Sequence, residues 1–293
     1  PAKFDHALRL ARAGLTLTLL VESAEAARLL SEHGQRHGHL HRVLIEVDTD
    51  GHRSGIPPQA AALLDVAAAL RLEGGHGAQL LGVMTHAGAS YALDTPAALA
   101  AMAEQERAGC VAAAERLRAA GHACPVVSVG STPTALSARA LHGVTEVRAG
   151  VYVFFDLVMA GIGVCSLDDI ALSVLTSVIG HQPDKGWILI DAGWMAMSRD
   201  RGTSAQRIDQ GYGVVCDSNG LPYLDLIVTG CNQEHGVVSL RPGAAGPLPD
   251  LSVGTLLRIL PNHACATAAQ FDNYNVLPED GGSLRTWSRF RGW

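Results

Sequence analysis

Two periodicities alternate along the first half of the chain. Apolar positions three and four apart predict helices over 4–13 and 23–36, the second with Ser23 as N-cap, and a β-rich run predicts a strand over 15–21 between them. A second strand is expected over 42–48, then a helix opened by Pro57 and Pro58 and running through Leu72, because proline is tolerated in a first turn. A third strand over 79–85 precedes an Ala-rich helix that Thr95 and Pro96 start and that runs to 120. Strands over 126–129 and 145–154 flank a helix over 133–141. Strands separated by helices pair in parallel, since tight turns cannot join parallel neighbours, so the pattern predicts an α/β parallel sheet or barrel. Beyond Asp156 the helical period disappears. Strands over 171–179, 186–191, 224–231, 236–240 and 255–260, linked by Gly, Pro, Asp and Asn, predict a mainly antiparallel β domain. The chain turns irregular near Gln270, Phe271, Asn273 and Tyr274, and 284–290 has the pattern of a last short strand. The expected division is residues 1–158 and 159–293, with no internal repeat.

Composition narrows the classes of function. With 293 residues, 48% hydrophobic, 17% charged and a net charge of -6, the chain can bury one large core or two ordinary ones. It lacks the basic stripe that binding to nucleic acid needs. No apolar run approaches the roughly 18 to 20 residues of a membrane span, the first residues carry no leader pattern, and the expected location is the cytoplasm. The cysteines at 110, 124, 165, 216, 231 and 265 are scattered without a CxxC pair, so they are expected to be reduced core fillers, with Cys265 set apart.

In parallel α/β architectures functional residues gather at the carboxyl ends of the strands, and these ends are rich in chemistry here. The second strand ends in Asp48-Thr-Asp-Gly-His-Arg53-Ser-Gly55 and the third in Thr85-His86-Ala-Gly88-Ala-Ser90-Tyr91. The fourth ends in Ser128-Val-Gly130-Ser131-Thr132-Pro133, and the fifth carries Glu146-Val-Arg148-Ala-Gly150-Val151-Tyr152. Gly130 to Pro133 runs into a helix, offering backbone N–H groups, two hydroxyls and a positive dipole end to an anion such as phosphate. A Ser/Thr N-cap followed by proline gives the same letters with no ligand. Gly150-Val151 is a second place for close approach of backbone amides. Arg53, His86, Tyr91 and Arg148 together supply cationic and hydroxyl donors and an aromatic face, a pocket wall for an anionic, planar, heteroaromatic ligand.

In the β domain, Pro261-Asn-His263-Ala-Cys265 is the sharpest local signal. In an extended segment His263 and Cys265 point to one face, and imidazole plus thiolate suits Zn²⁺. Two protein ligands would leave positions open for water or substrate, as a catalytic metal requires. Gln233-Glu234-His235-Gly236 adds a carboxylate and another histidine that could support such a site, although a solvated hairpin turn explains them as well.

Taken in order, these segments, with Asp191-Ala-Gly-Trp194-Met-Ala-Met-Ser198-Arg-Asp200, resemble the D-serine dehydratase and D-threonine aldolase group of pyridoxal-phosphate enzymes, which have the alanine racemase type of fold. The resemblance runs the length of the chain. It implies an eight-stranded (β/α) TIM-type barrel carrying pyridoxal 5'-phosphate, a β domain that brings a divalent metal to the substrate, and a homodimer. Ser131, Thr132, Gly150 and Val151, with Tyr152 beside them, would hold the phosphate. Arg53, His86, Tyr91 and Arg148 would line the pyridoxal ring. His263 and Cys265 would bind the metal, Zn²⁺ foremost, with Mn²⁺, Co²⁺ or Mg²⁺ as other candidates, and Gln233 and His235 would lie behind them or touch substrate. The His-x-Cys form resembles the dehydratase branch, whereas relatives that cleave D-threonine have Asp in place of Cys265.

The implied reaction eliminates water from a D-3-hydroxy amino acid, D-serine or D-threo-3-hydroxyaspartate, and the resulting enamine is hydrolysed to a 2-oxo acid and ammonia. Aldol cleavage of the same class of substrate is the near alternative, and a racemase would have no use for the metal. One departure stands out. The family holds its cofactor on a lysine of the first barrel strand, and the two lysines here, Lys3 and Lys185, fall on a helix and in a Pro-Asp-Lys-Gly turn. Five βα strands are visible where the barrel needs eight, so the expectation is an N-terminally shortened form of an enzyme of about 380 residues. The absent lysine also admits a reading of another class, a non-catalytic remnant.

Overall fold

The computed structural model describes residues 2–71, 77–278 and 281–290. The chain divides into two compact units, Pro1–Gly150 and Val151–Trp293.

The first unit follows the alternation of the sequence: α1 (Ala2–Arg12), β1 (Thr18–Val21), α2 (Ala24–His37), β2 (His41–Glu46), α3 (Ala62–Ala69), β3 (Ala78–Met84), α4 (Pro96–Ala119), β4 (Val126–Val129), α5 (Thr132–Ser137) and β5 (Glu146–Val147). The five strands form one parallel sheet in the order β1-β2-β3-β4-β5. Local signals set the helix ends. Ser23 Oγ accepts the Ala26 amide at 3.2 Å to cap α2, which stops at Gly38 with φ 60. Thr95 Oγ1 accepts the Ala98 amide at 3.2 Å at the start of α4, with Pro96 in its first turn. Leu30 of α2, Ile45 of β2, Leu63 of α3, Val83 of β3, Leu117 of α4 and Val127 of β4 are all fully buried and form one core. Each such side chain contributes about 1.5 to 3 kcal/mol.

Three boundaries differ from the sequence expectation. The helix placed at Pro57 begins at Ala62, because Ile56 stays tied to the end of β2 (Ile56 N to Glu46 O, 2.9 Å; Asp48 N to Ile56 O, 3.0 Å). The carbonyls of Pro58 and Ala60 meanwhile accept from Arg116 Nη1. Its expected end, Leu72, lies outside the described residues. The helix expected over 133–141 ends at Ser137. The strand expected over 145–154 pairs only through Val147, since the amide of Arg148 bonds Val129 O at 2.8 Å where β4 itself ends. Residues Val151–Val153 then form a 3₁₀ turn.

The second unit comprises α6 (Leu157–Gly161), β6 (Val174–Gln182), β7 (Trp187–Ile190), α7 (Trp194–Met197), β8 (Gly213–Cys216), β9 (Pro222–Cys231), β10 (Gly236–Leu240), β11 (Leu256–Pro261), α8 (Ala264–Ala268), β12 (Asn273–Val276) and β13 (Arg285–Ser288). Six strands close into an antiparallel barrel in the order β10-β7-β6-β11-β8-β9, which leaves no free sheet edge. Ile188, Ile190, Val215, Leu226, Val228, Val238, Leu257 and Ile259 fill it. Strand β8 escaped the sequence reading because all four of its residues are buried and show no alternation. The segment near Asn273 and Tyr274 is regular after all, paired with β13 (Tyr274 opposite Trp287). Among the described residues no helix is long and apolar enough to cross a membrane.

Candidate functional site

In the first unit the loops after β2, β3 and β4 are stitched together at the carboxyl ends of the strands. Thr49 Oγ1 lies 3.0 Å from Thr85 Oγ1, and Asp50 Oδ2 accepts the Ala89 amide at 2.8 Å. His86 Nδ1 lies 3.1 Å from the Gly130 carbonyl, which can only accept, so Nδ1 carries a proton and Nε2 is directed elsewhere. The Tyr91 ring stands 6.1 Å from that of His86. Ser131, Thr132 and Thr134 are buried. Ser131 Oγ is 3.0 Å from Ser90 Oγ and caps α5, accepting the Thr134 amide at 3.3 Å while Thr134 Oγ1 accepts the Ser131 amide at 3.0 Å. The capping interpretation of this motif is therefore realised in the structure. The ligand interpretation then rests on the loop around it, since both hydroxyl groups of the cap are engaged.

Gly130 has φ 135 and packs so closely on the neighbouring loop that a Cβ there would fall 1.9 Å from Arg148 O. Only glycine allows this approach. Arg148 donates from Nε to Ser128 Oγ at 2.8 Å and from Nη2 to Thr85 O, so one guanidinium links the ends of β3, β4 and β5. Burial lowers its pKa, opposed by Glu106 and Glu146. Arg53 is the outlying member of the predicted set, 65% exposed with its guanidinium 3.9 Å from Glu46. Gly150, also exposed, ends the first unit.

One residue absent from the sequence reading organises this face. Glu106 is 2% exposed, and its Oε1 accepts the amides of both Ala87 (2.9 Å) and Gly130 (3.1 Å), fixing the loops after β3 and β4 from beneath. Its only sequence signal is a lone acid on the apolar face of an Ala-rich helix.

In the second unit the His-x-Cys segment does not stay extended. Strand β11 ends at Pro261, His263 occupies the N-cap position of α8, and Cys265 lies in that helix's first turn. The turn is imposed by buried polar groups. Asp156 is 1% exposed and divides its carboxylate between the amides of Ala264 and Met159, both at 2.9 Å. Burial raises its pKa, opposed by those two amides. Asn262 is 2% exposed, accepts from Thr203 and donates to Gly211 O at 2.6 Å, and Thr267 Oγ1 donates to Met197 O at 2.9 Å.

The segment so held presents His263 and the exposed Cys265 within one turn of chain. His263 Nδ1 lies 2.6 Å from Asp200 Oδ2. Asp200 follows Ser198, a non-glycine residue at φ 71 whose hydroxyl accepts the Asp200 amide at 3.2 Å. Asp200, and then Cys265, raise the imidazole pKa to about 10. The bond to His263 in turn lowers the Asp200 carboxyl. Burial raises the thiols of Cys165, Cys216 and Cys231 to about 11 and that of Cys110 to about 12; Cys110, Cys124 and Cys216 are buried as expected of core fillers, whereas Cys165 and Cys231 are half-buried.

Gln233, Glu234 and His235 are exposed on the β9–β10 hairpin, where Gln233 Nε2 donates to Glu234 Oε1 at 3.3 Å. Among the described residues the side-chain hydrogen bond of His263 runs to Asp200, not to Gln233 or His235. The hairpin instead supports α7, with Asn232 O accepting the Trp194 amide at 2.8 Å. Val151 is buried and accepts from the amides of Phe154 and Phe155, and Tyr152 is half exposed at 51%. Lys3 lies on α1, and Lys185 closes a 3₁₀ turn with its ammonium 4.8 Å over the Trp187 ring.

Residues 4–158 match the family model of the alanine racemase N-terminal domain, and residues 171–277 match that of a serine dehydratase domain. The chain is 58% identical over 295 residues to D-threo-3-hydroxyaspartate dehydratase of Delftia sp. (strain HT23), with 100% of this chain and 77% of that protein aligned. The solved structure of that dehydratase superposes with a TM-score of 0.94, and a cysteine-to-alanine variant of it in the metal-free form superposes equally well, at 0.94. An alanine racemase-like protein from Idiomarina loihiensis superposes with a TM-score of 0.92 at 45% identity, covering 100% of this chain and 76% of its own. D-serine dehydratase of Dictyostelium discoideum is 27% identical over 260 residues, covering 86% of this chain and 64% of that protein.

Proposed function

This chain belongs to the family of alanine racemase-fold enzymes that includes the D-serine and D-threo-3-hydroxyaspartate dehydratases, and from that membership we propose that it serves a lyase that converts D-threo-3-hydroxyaspartate to oxaloacetate and ammonia, with D-serine as a second substrate. The observation that carries this reading is the His263 and Cys265 pair at the start of α8, gripped by Asp200, in a chain 58% identical to such a dehydratase.

The residues present fit the cation and the non-covalent surroundings of the cofactor, whereas neither Lys3 nor Lys185 is placed to carry its Schiff base. The strand-end face of the first unit brings together the Arg148 guanidinium, the His86 imidazole and the Tyr91 ring, residue types suited to lining a phosphorylated heteroaromatic acid. We assign Ser131, Thr132, Gly150, Val151 and Tyr152 to its phosphate and Arg53, His86, Tyr91 and Arg148 to its ring. An imidazole and an exposed thiol suit Zn²⁺ or a similar borderline cation. Pyridoxal phosphate supplies an electron sink for removal of the α-proton, and the cation supplies charge stabilisation for the leaving 3-hydroxyl.

The chain's own residues do the rest by positioning. Asp200 fixes the imidazole of His263 through Nδ1, leaving the other nitrogen for the cation. Asp156 holds the first turn of α8 and so keeps Cys265 beside His263. Glu106 holds the two loops that carry His86 and Ser131. Neither Lys3 nor Lys185 is assigned a catalytic role, and Gln233 and His235 are assigned to substrate contact. A homodimer completes the proposal, in a reducing cytoplasm that suits six unpaired cysteines.

The test is product analysis with the protein as the cell makes it, supplied with pyridoxal phosphate and Zn²⁺ or Mn²⁺. Oxaloacetate and ammonia from D-threo-3-hydroxyaspartate, abolished by a chelator and by His263→Ala, are expected. Glycine and glyoxylate would transfer the protein to the aldolase branch. Absence of turnover together with absence of cofactor absorbance near the visible edge would make it a non-catalytic relative.

A further inference from the structure

A second constellation of metal-binding side chains lies wholly within the first unit and shares no residue with the sites above. Four histidines, His33, His37, His39 and His41, fall within nine positions of the chain. His33 and His37 are one turn apart on the same face of α2, with ring centroids 4.5 Å apart. Asp5 of α1 comes up against them, its Oδ1 3.0 Å from His33 Nε2. The other nitrogen of His33, Nδ1, is 3.0 Å from His41 Nε2 at the start of β2, and His39 stands edge-on to His41 at 4.7 Å. One ligand atom from each of Asp5, His33 and His37 lies within 4.8 Å of the other two.

We propose that Asp5, His33 and His37 form a binding site for a borderline divalent cation of the Zn²⁺, Co²⁺ or Ni²⁺ type, with His41 as the outer partner that orients His33. Metal–ligand bonds of about 2.0 to 2.2 Å in a tetrahedral site separate neighbouring ligand atoms by about 3.3 Å. The Asp5–His33 pair is already close to that spacing, and the cation replaces the hydrogen bond between them. His33 is buried and fixed on both nitrogens, whereas Asp5 and His37 are exposed, so the closing movement falls to two side chains free to make it. Two imidazoles and one carboxylate select this class of ion over Mg²⁺ or Ca²⁺, which demand more oxygen ligands. The remaining positions are left to water. A cation here ties α1 to α2, which makes the site a stabilising clamp on the amino-terminal end of the described chain.

The experiment uses untagged protein carrying His263→Ala and Cys265→Ala, which removes the other candidate site together with its thiolate. Co²⁺ is titrated and its d–d absorption followed, Zn²⁺ binding is measured by calorimetry, and the thermal midpoint is read with and without Zn²⁺. One equivalent of metal, cobalt bands without sulfur charge transfer, and a raised midpoint are expected. Adding His37→Ala or Asp5→Asn, both at exposed positions, is expected to weaken Zn²⁺ by about tenfold or more while circular dichroism stays unchanged. No binding in the double variant, or binding that both further substitutions leave intact, would overturn the proposal.

Discussion

Asp200 Oδ2 lies 2.6 Å from His263 Nδ1, joining residues 63 positions apart in the chain. A carboxylate in that position fixes the direction of the ring and strengthens its free nitrogen as a ligand. Asp200→Asn keeps the shape and removes the charge. Metal affinity at the His263 and Cys265 pair is expected to fall by about 10- to 100-fold, with product formation restored by excess metal. A metal titration of the variant checks this, and an unchanged affinity would sever Asp200 from the metal.

Glu106 holds the amides of Ala87 and Gly130 with a single oxygen in a buried setting. Glu106→Ala leaves both donors unpaired, an expected loss of about 2 to 4 kcal/mol in urea unfolding. Glu106→Gln retains an acceptor and is expected to recover much of this. If both variants are as stable as the parent, the two loops are held by something else.

Gly130→Ala tests the close approach of the loops after β4 and β5. The new methyl group would sit 1.9 Å from Arg148 O at a φ of 135. An expected destabilisation of about 2 kcal/mol, with weakened uptake of pyridoxal phosphate, is measurable by thermal unfolding and by absorbance.

His41 gives the first unit a pH dependence. Burial, reinforced by His39, His33 and His37, lowers its imidazole to about 4, and Asp5 reaches the cluster through His33. The unfolded chain takes up the proton near pH 6.5 while the folded chain resists it. Stability from this group is therefore complete above about 6.5 and lost as pH falls toward 4, up to about 3 kcal/mol. Urea midpoints between pH 8 and 4.5 should fall more steeply for the parent than for His41→Asn, and parallel curves would exclude His41 as the cause.

Much of the fold was legible because the signals that make it are local. The caps at Ser23 and Thr95, the period-2 and period-3.6 patterns and the Gly- and Pro-marked turns lie within a few residues of the elements they define. The ordered strand ends likewise exposed His86, Ser131 and Arg148, which the structure joins at one face. The misread boundaries have long-range causes. Arg116 on α4 draws the carbonyls after Pro57 away from a helix, and the barrel buries β8 on every side. Cys265 was expected in an extended segment and lies in a helix, because the carboxylate of Asp156, 108 positions away, takes up the Ala264 amide.

The sequence by itself determined most of the elements, the order in which they alternate, and which imidazole, thiol and guanidinium groups lie near their ends. Tertiary structure alone decided that Asp200 serves His263, that Glu106 underpins two loops, and that Asp5 meets His33. Hydrophobic period and capping act over one or two turns of chain and can be read from neighbours. A buried carboxylate finds its partner wherever folding removes competing water, and the chain distance to that partner leaves no mark in the letters.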